Sequence, residues 1–318
     1  MSFYKVINHH LIQRNSSWRA PPHATKTKRA YSKSEIEVLH LSFAKSSMAA
    51  TSRGAMNRQQ QLAVTAFALG LMGLGVLALI YGDFALVWQP VPNSLPGRSA
   101  LAYASGLLML FGGIGLLFRA TAVWSARILF PYLFIWMLLK VPALVVAPKM
   151  EAVWLGFGEI AVLFAGGWVL FATLAETNSS RLFTFVSGES GIRLATILFG
   201  ISLIPIGLSH IIYTKQTVDL IPSWLPFRTG LAYLTGAGQI CCGVGVLFAI
   251  VPRFAAMVEG GMVSLFAILV WAPAILASPK TRLPWTAFFI TWFFASSAWV
   301  VATQARFKDR AHSNGIVR

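Results

Sequence analysis

The sequence predicts an all-α, polytopic membrane protein with eight transmembrane helices, arranged as two parallel-repeat four-helix bundles. The composition is the first reason: hydrophobic residues make up 56% of the chain and charged residues 11%, whereas soluble domains carry about a quarter of charged residues. The second reason is a series of apolar runs, each of about 20 residues and thus long enough to cross the hydrocarbon core. The third is a 28-residue stretch that is written twice, 130 positions apart.

The N-terminal segment, residues 1–61, differs from everything after it. It holds ten Lys and Arg residues against two acidic ones, Glu35 and Glu37, and we predict that it is disordered. Three explanations stay open for it: a basic cytoplasmic tail, an organelle-type presequence, or an over-extended reading frame in which Met48 or Met56 is the start. We favour the last of these.

The apolar runs give two predicted membrane units, over residues 62–177 and 190–305, followed by a basic C-terminal tail over 306–318. Lipid offers no hydrogen-bond partners to the backbone, so each spanning segment must be a helix. The predicted spans are 62–81, 99–118, 124–146, 153–173, 194–213, 230–250, 254–276 and 284–302.

The duplicated stretch covers residues 91–118 and 221–248 and contains twelve identities without a gap. The alignment then continues with one inserted residue, so that Pro142 and Trp154 return 131 positions later as Pro273 and Trp285. Because each unit contains an even number of helices, we expect parallel repeats related by an axis along the membrane normal.

The distribution of positive charge predicts the orientation. Nine Lys and Arg residues lie in the C-terminal tail and in the loops on the same side as the N-terminus, and six lie in the loops on the opposite side. This excess predicts that both termini are in the cytoplasm. The net charge of +16 does not indicate a nucleic-acid partner, because much of the excess lies in the N-terminal segment and the rest is scattered singly in loops. The expected environment is a lipid bilayer, of the bacterial inner-membrane type.

Lys140 and Glu159 form the first candidate site, an intramembrane ion pair. Both lie at a similar predicted depth in one helical hairpin, and their counterparts in the second copy, Trp271 and Ile290, are both uncharged. A structural ion pair is the favoured interpretation. The alternatives are a proton or substrate site, or two charges that face different directions.

The second candidate is a polar site on the outer side. His210 and Asp83 end their helices at similar depth, and the repeated string of Pro, Arg and Tyr places an Arg before each second helix with a Tyr five residues later. Each Arg either anchors the chain at the interface, which we favour, or binds an anion. The candidate residues are Asp83, Arg98, Tyr103, His210, Arg228 and Tyr233.

Two further polar residues lie within predicted spans. Glu259 is expected either to pair with Arg253 or to reach the interface, and Gln239 to make a hydrogen bond between helices. No group of residues at metal-ligand spacing is present, so we expect no metal site.

The four-helix unit resembles the DoxX/DoxD-like membrane proteins. The resemblance rests on a Gly-rich first helix, the outer stretch IPSWLPFRTGLAYLTG and the following GVGVLF. It covers residues 62–303, which contain the four-helix unit twice in succession. It implies a four-helix membrane unit, and some members of the family are small subunits of thiosulfate:quinone oxidoreductase or partners in membrane redox complexes. It supplies no catalytic residues for this chain.

The leading functional expectation is therefore an accessory, non-catalytic subunit of a quinone-linked membrane redox system. The resemblance alone suggests quinone as a cofactor and a membrane redox complex as a partner. The alternative is a small-solute or proton-coupled transporter. A purely structural membrane protein is the third interpretation.

Overall fold

The computed structural model describes residues 56–174 and 185–304. These two ranges contain eight helices that are long and apolar enough to span a membrane, as predicted, and they contain no strand. The spans are α1 (Arg58–Tyr81), α2 (Arg98–Leu117), α3 (Arg119–Val146), α4 (Glu151–Leu174), α5 (Gly188–Ile212), α6 (Arg228–Leu247), α7 (Pro252–Ala277) and α8 (Arg282–Gln304). The predictions for the tail over 306–318 and for residues 1–55 lie outside the described residues.

Helix α1 begins at Arg58, so residues 58–61 are helical and not part of a disordered segment as the sequence predicted. The cause is a capping box. The Asn57 side chain accepts a hydrogen bond from the Gln60 N–H, and the Gln60 side chain accepts one from the Asn57 N–H, each at 2.9 Å. Two backbone donors that the first turn leaves unpaired are thereby satisfied.

The helices pack in chain order, and the series closes on itself because α8 packs against α1. Helix α4 also packs against α8, across the middle of this arrangement. These two helices are accordingly the most buried, at 72% and 67% of the span, against 22% for α3 and for α7. Aromatic residues fill the centre, where the rings of Phe67 and Phe293 meet edge to face at 4.6 Å.

Two of the spans, α3 and α7, are interrupted before a proline. Helix α3 stops at Leu138 and resumes over Val141–Val146, and α7 passes through a π-helical turn at Ala267–Trp271. Pro142 and Pro273 explain both interruptions, because proline lacks an N–H and its ring clashes with the carbonyl four residues earlier. A π-helical turn closes over one more residue than an α-helical turn, and this one lies between Phe248 and Pro273, where the spacing of the aligned residues changes from 130 to 131.

Small residues allow neighbouring helices to approach closely. A Cβ atom added at Gly243 on α6 would lie 2.7 Å from the carbonyl oxygen of Gly200 on α5, so no larger side chain fits without moving a helix backbone. Gly261 on α7 is the opposite case, because nothing lies within 4 Å of an added Cβ atom there.

We expect Gly243→Ala to destabilise the protein by about 1–3 kcal/mol, because it forces α5 and α6 apart. Gly261→Ala is the matched control and should be neutral or stabilising by up to about 1 kcal/mol, since alanine loses less backbone entropy in a helix. Thermal unfolding midpoints in mild detergent measure both changes. Equal midpoints for the two variants would contradict the close approach of α5 and α6.

Candidate functional site

The loop that follows α1, residues 82–97, is fixed at its start by an ionic cluster. The Asp83 carboxylate pairs with Arg98 at the start of α2 and with Arg282 at the start of α8, the latter at 3.0 Å from Nη1 to Oδ2. Arg282 also donates to the backbone carbonyl oxygens of Asp83 and Phe84. One carboxylate therefore joins the ends of α1, α2 and α8 on the side that the Lys and Arg distribution predicts to be the outer one.

The surroundings of Asp83 set its protonation. Burial alone would raise the pKa of the Asp83 carboxyl, but the hydrogen bond from Arg282, the Phe84 N–H and the charges of Arg98 and Arg282 together hold it below the ordinary 3.8. The carboxylate form is thus favoured by its partners in the fold.

Side chains of this loop pack into the interior of the first half of the protein. Phe84 and Gln89 are buried, and the Phe84 ring meets the Trp136 ring edge to face at 5.5 Å. The Gln89 amide donates to the Tyr132 hydroxyl at 3.2 Å, and that hydroxyl shares a 2.7 Å hydrogen bond with Ser105. The space enclosed by α2, α3 and the loop is therefore occupied by side chains whose polar atoms pair with one another.

The loop that follows α5 in the second half differs from the loop that follows α1 in the first half. It begins with a short helix, Thr214–Leu220, in which no residue is buried. Beneath it lies a partly open cavity of about 580 Å³ that reaches from the outer loops to Gln239, in the middle of α6. Its walls come mainly from α5, α6, α7 and α8, and the π-helical turn of α7 supplies Leu269, Val270 and Trp271.

The cavity walls are largely apolar, with a few hydrogen-bonding groups. His210 on α5 shares a 2.9 Å hydrogen bond between Nδ1 and the Thr235 hydroxyl on α6. On the opposite wall, the Trp88 indole lies beside the Glu159 carboxylate. The Trp88 N–H is buried and has no well-formed hydrogen bond among the described residues.

At the inner end of the cavity, two buried side chains face each other. The Gln239 amide nitrogen donates to Oε1 of Glu259 at 3.2 Å, and Glu259 is completely buried. Oε1 of Gln239 and Oε2 of Glu259 have no hydrogen-bond partner in the described part of the chain. Glu259 neither pairs with Arg253 nor reaches the interface, which corrects the sequence interpretation, because Arg253 binds Gln59 instead.

The structure separates the six predicted outer-side residues into three groups. Asp83 and Arg98 form the ionic cluster, and the Tyr103 hydroxyl packs against Gly82 beside it. His210 lines the cavity. The others lie apart from these contacts: Arg228 reaches the Val218 and Ile221 carbonyls at the end of the short helix, and Tyr233 is half exposed.

The direct ion pair between Lys140 and Glu159 is not formed. The Lys140 ammonium donates at 2.8 Å to the carbonyl oxygen of Val87 in the first outer loop, and no ion pair within 4.0 Å joins it to Glu159. The two charges interact only through space. The physical reason is the loop itself, whose consecutive residues Val87 and Trp88 approach the two side chains.

Sequence reasoning missed three residues of these sites. The sequence indicated no role for Arg282, because its counterpart at a spacing of 131 is Glu151, and Trp88 was not among the candidate residues. Trp271 was considered only as the uncharged counterpart of Lys140. The described residues also contain no group of three or more His, Cys, Asp or Glu side chains that could hold a metal ion.

In comparisons with known proteins, no family model, no curated protein and no solved structure matches this chain.

We expect Asp83→Asn to lower stability by roughly 1–2 kcal/mol, because it leaves two partly buried guanidinium groups without their counter-charge. The double variant Asp83→Asn with Arg282→Gln should lose less than the sum of the two single variants, since the partners act together. Asp219→Asn, in the second outer loop, is the matched control and should leave the thermal midpoint unchanged. Strictly additive losses would show that Asp83 and Arg282 do not interact.

The same cluster predicts a pH dependence with a definite sign. The folded-state pKa of Asp83 is lowered, so its contribution is complete above the unfolded value of 3.8 and is lost as the pH falls through the folded value. The difference in stability between wild type and Asp83→Asn should therefore be constant near neutral pH and shrink below about pH 4. A difference that grows on acidification would contradict the assignment. Unfolding midpoints measured across this range provide the test.

Proposed function

We propose that the protein binds a quinone-type ligand in the cavity of its second half, as an accessory subunit of a quinone-linked membrane redox system. One observation carries the proposal: a cavity of about 580 Å³ at membrane depth has apolar walls and only a few hydrogen-bonding groups. Ligand sites of this kind bury an apolar body and orient it through a small number of polar contacts. The resemblance to DoxX/DoxD-like proteins favours a quinone among lipid-soluble ligands.

The polar groups of the cavity match the chemistry of a quinone ring. A quinone presents two carbonyl acceptors, and the buried N–H of Trp88 is a donor without a well-formed bond among the described residues. The Thr235 hydroxyl donates to the Ala232 carbonyl and therefore accepts from Nδ1 of His210, which leaves Nε2 as an acceptor that suits a hydroxyl group of the reduced, quinol form. The aliphatic and aromatic walls suit the ring and the first part of an isoprenoid tail.

We also infer that the two halves are equivalent units that have diverged. Matching contacts support this: the Trp154 indole donates to the Pro148 carbonyl at 2.9 Å, and the Trp285 indole to the Pro279 carbonyl at 2.8 Å. Divergence is clearest in the cavity, where Gln239 and Thr235 stand at the places of Met109 and Ser105 in the first copy. The ligand site is thus formed mainly by the second half, and Trp88, Leu155 and Glu159 of the first half complete one wall.

The cellular setting is part of the proposal. We infer a multi-pass protein of a bacterial-type inner membrane with both termini in the cytoplasm, supported by the Lys and Arg distribution. The cavity then faces the non-cytoplasmic half of the bilayer, and a membrane redox partner supplies the electron-transfer centre.

A second candidate function is proton-coupled transport of a small amphipathic solute. It is favoured by Glu259, a fully buried carboxyl group within a spanning helix, because such groups often mark proton pathways. Uptake into proteoliposomes that stops when the proton gradient is collapsed would support transport over the accessory role.

Binding of a short-chain benzoquinone to the protein in mild detergent tests the proposal by calorimetry. We expect saturable binding to wild type and at least about tenfold weaker binding to Val270→Trp, which fills the cavity. His210→Ile should also weaken binding, because it removes a ring nitrogen from the wall.

Val145→Trp is the matched control, since Val145 is 74% exposed on the surface of α3. It should bind the benzoquinone as wild type does. Absence of binding to wild type, or equal binding to Val270→Trp and Val145→Trp, would overturn the proposed site.

A further inference from the structure

Gln239 occupies a special position between the cavity and Glu259. It lines the cavity, yet it is 2% exposed, and it supplies the one hydrogen bond of the Glu259 side chain within the described ranges. Its own carbonyl oxygen has no partner there. The Gln239 side-chain amide can turn either its carbonyl or its amino group toward a ligand in the cavity. The other group then faces Glu259 and must be able to form a hydrogen bond with it.

Glu259 has two states with opposite hydrogen-bonding demands. As a carboxylate it only accepts hydrogen bonds, whereas as a carboxylic acid it also donates one. No cation in the described residues lies within 4.0 Å to hold it ionised. A fully buried carboxylate without a cation is costly, so that a change in its single hydrogen bond or in the contents of the cavity can shift its protonation.

We propose that Gln239 and Glu259 form a proton-controlled amide switch that selects the hydrogen-bonding character of the ligand, an inference that rests on the proposed quinone site. With Glu259 as a carboxylate, the amide donates to it and presents its carbonyl to the cavity. With Glu259 protonated, its O–H donates to the amide carbonyl, and the amide turns its NH₂ group to the cavity.

The protonation state of Glu259 thereby determines whether the quinone or the quinol form of the ligand is favoured. The carboxylate state presents an acceptor and favours a quinol, whose hydroxyl groups donate. The protonated state presents a donor and favours a quinone, whose carbonyl groups accept. In this step the Glu259 carboxylate takes up one proton from a hydronium ion, which becomes water, and no electron moves.

Other titratable groups must be separated from Glu259 in the test. On α6 the nearest is Cys242, which is buried and interacts with Glu259. Helix α8 contributes none at this depth, since Arg282 at its outer start is its single ionisable residue, and on α7 Arg253 binds Gln59. Glu159, His210 and Tyr213 line the cavity wall and are titratable themselves.

The experiment measures the affinities of a short-chain benzoquinone and of its quinol across a pH series, with the detergent-solubilised protein kept under anaerobic conditions. In wild type the ratio of quinone to quinol affinity should rise by about tenfold as the pH falls through the titration of Glu259. In Glu259→Gln the ratio should not depend on pH. Glu159→Gln is the matched carboxyl control and should retain the pH dependence.

Gln239→Met provides a second route should Glu259→Gln fail to fold, because Met109 stands at this place in the first copy. It should abolish the pH dependence of the ratio while both ligands still bind. Binding of both forms with a pH-independent ratio in wild type would overturn the switch and leave the proposed site intact. Failure of both forms to bind would overturn the proposed function itself.

Discussion

The Asp83 carboxylate, held between the guanidinium groups of Arg98 and Arg282, is the interaction on which the asymmetry of this protein depends. It fixes the first residues of the loop after α1, so that Phe84 and Gln89 pack inside the first half. The second half has no such ionic cluster in its described residues, and its loop begins with an exposed short helix. Side chains consequently occupy the space beside this loop in the first half, and a cavity of about 580 Å³ lies beneath the loop of the second half.

The absence of water in the hydrocarbon core gives this asymmetry its chemical meaning. In the first half, Gln89, Ser105 and Tyr132 satisfy one another, so no polar atom of this group needs a ligand. In the second half, atoms of Gln239 and Glu259 have no hydrogen-bond partner in the described part of the chain. Such atoms are costly in a low-dielectric interior, and a ligand or a proton that pairs with them recovers part of that cost. Trp88, Gln239 and Glu259 thus place three such atoms in and behind the cavity, where a ligand is proposed, whereas the others in the described residues belong to Arg98, Arg282 and Glu151, which do not line it.

The sequence predicted the eight spans well, because apolar length depends on the bilayer and not on tertiary contacts. It also indicated one inserted residue between positions 248 and 273, a stretch that contains the π-helical turn, although it did not predict that turn. The site was harder to predict. Asp83 and Arg98 were recognised as polar residues, but Arg282 lies 199 positions from Asp83, and nothing local indicates a contact over that distance. The predicted Lys140–Glu159 ion pair is not formed for a related reason, because the Lys140 ammonium group donates to the carbonyl oxygen of Val87, a loop residue.

An experimental density map of the protein, purified from native membranes in mild detergent, is the most direct measurement of the difference between the halves. We expect ordered non-protein density in contact with His210 and Gln239, and side chains of Phe84, Gln89 and Tyr132 filling the corresponding place in the first half. A map in which the second outer loop fills the cavity, or in which both halves are packed alike, would contradict a ligand site formed mainly by the second half.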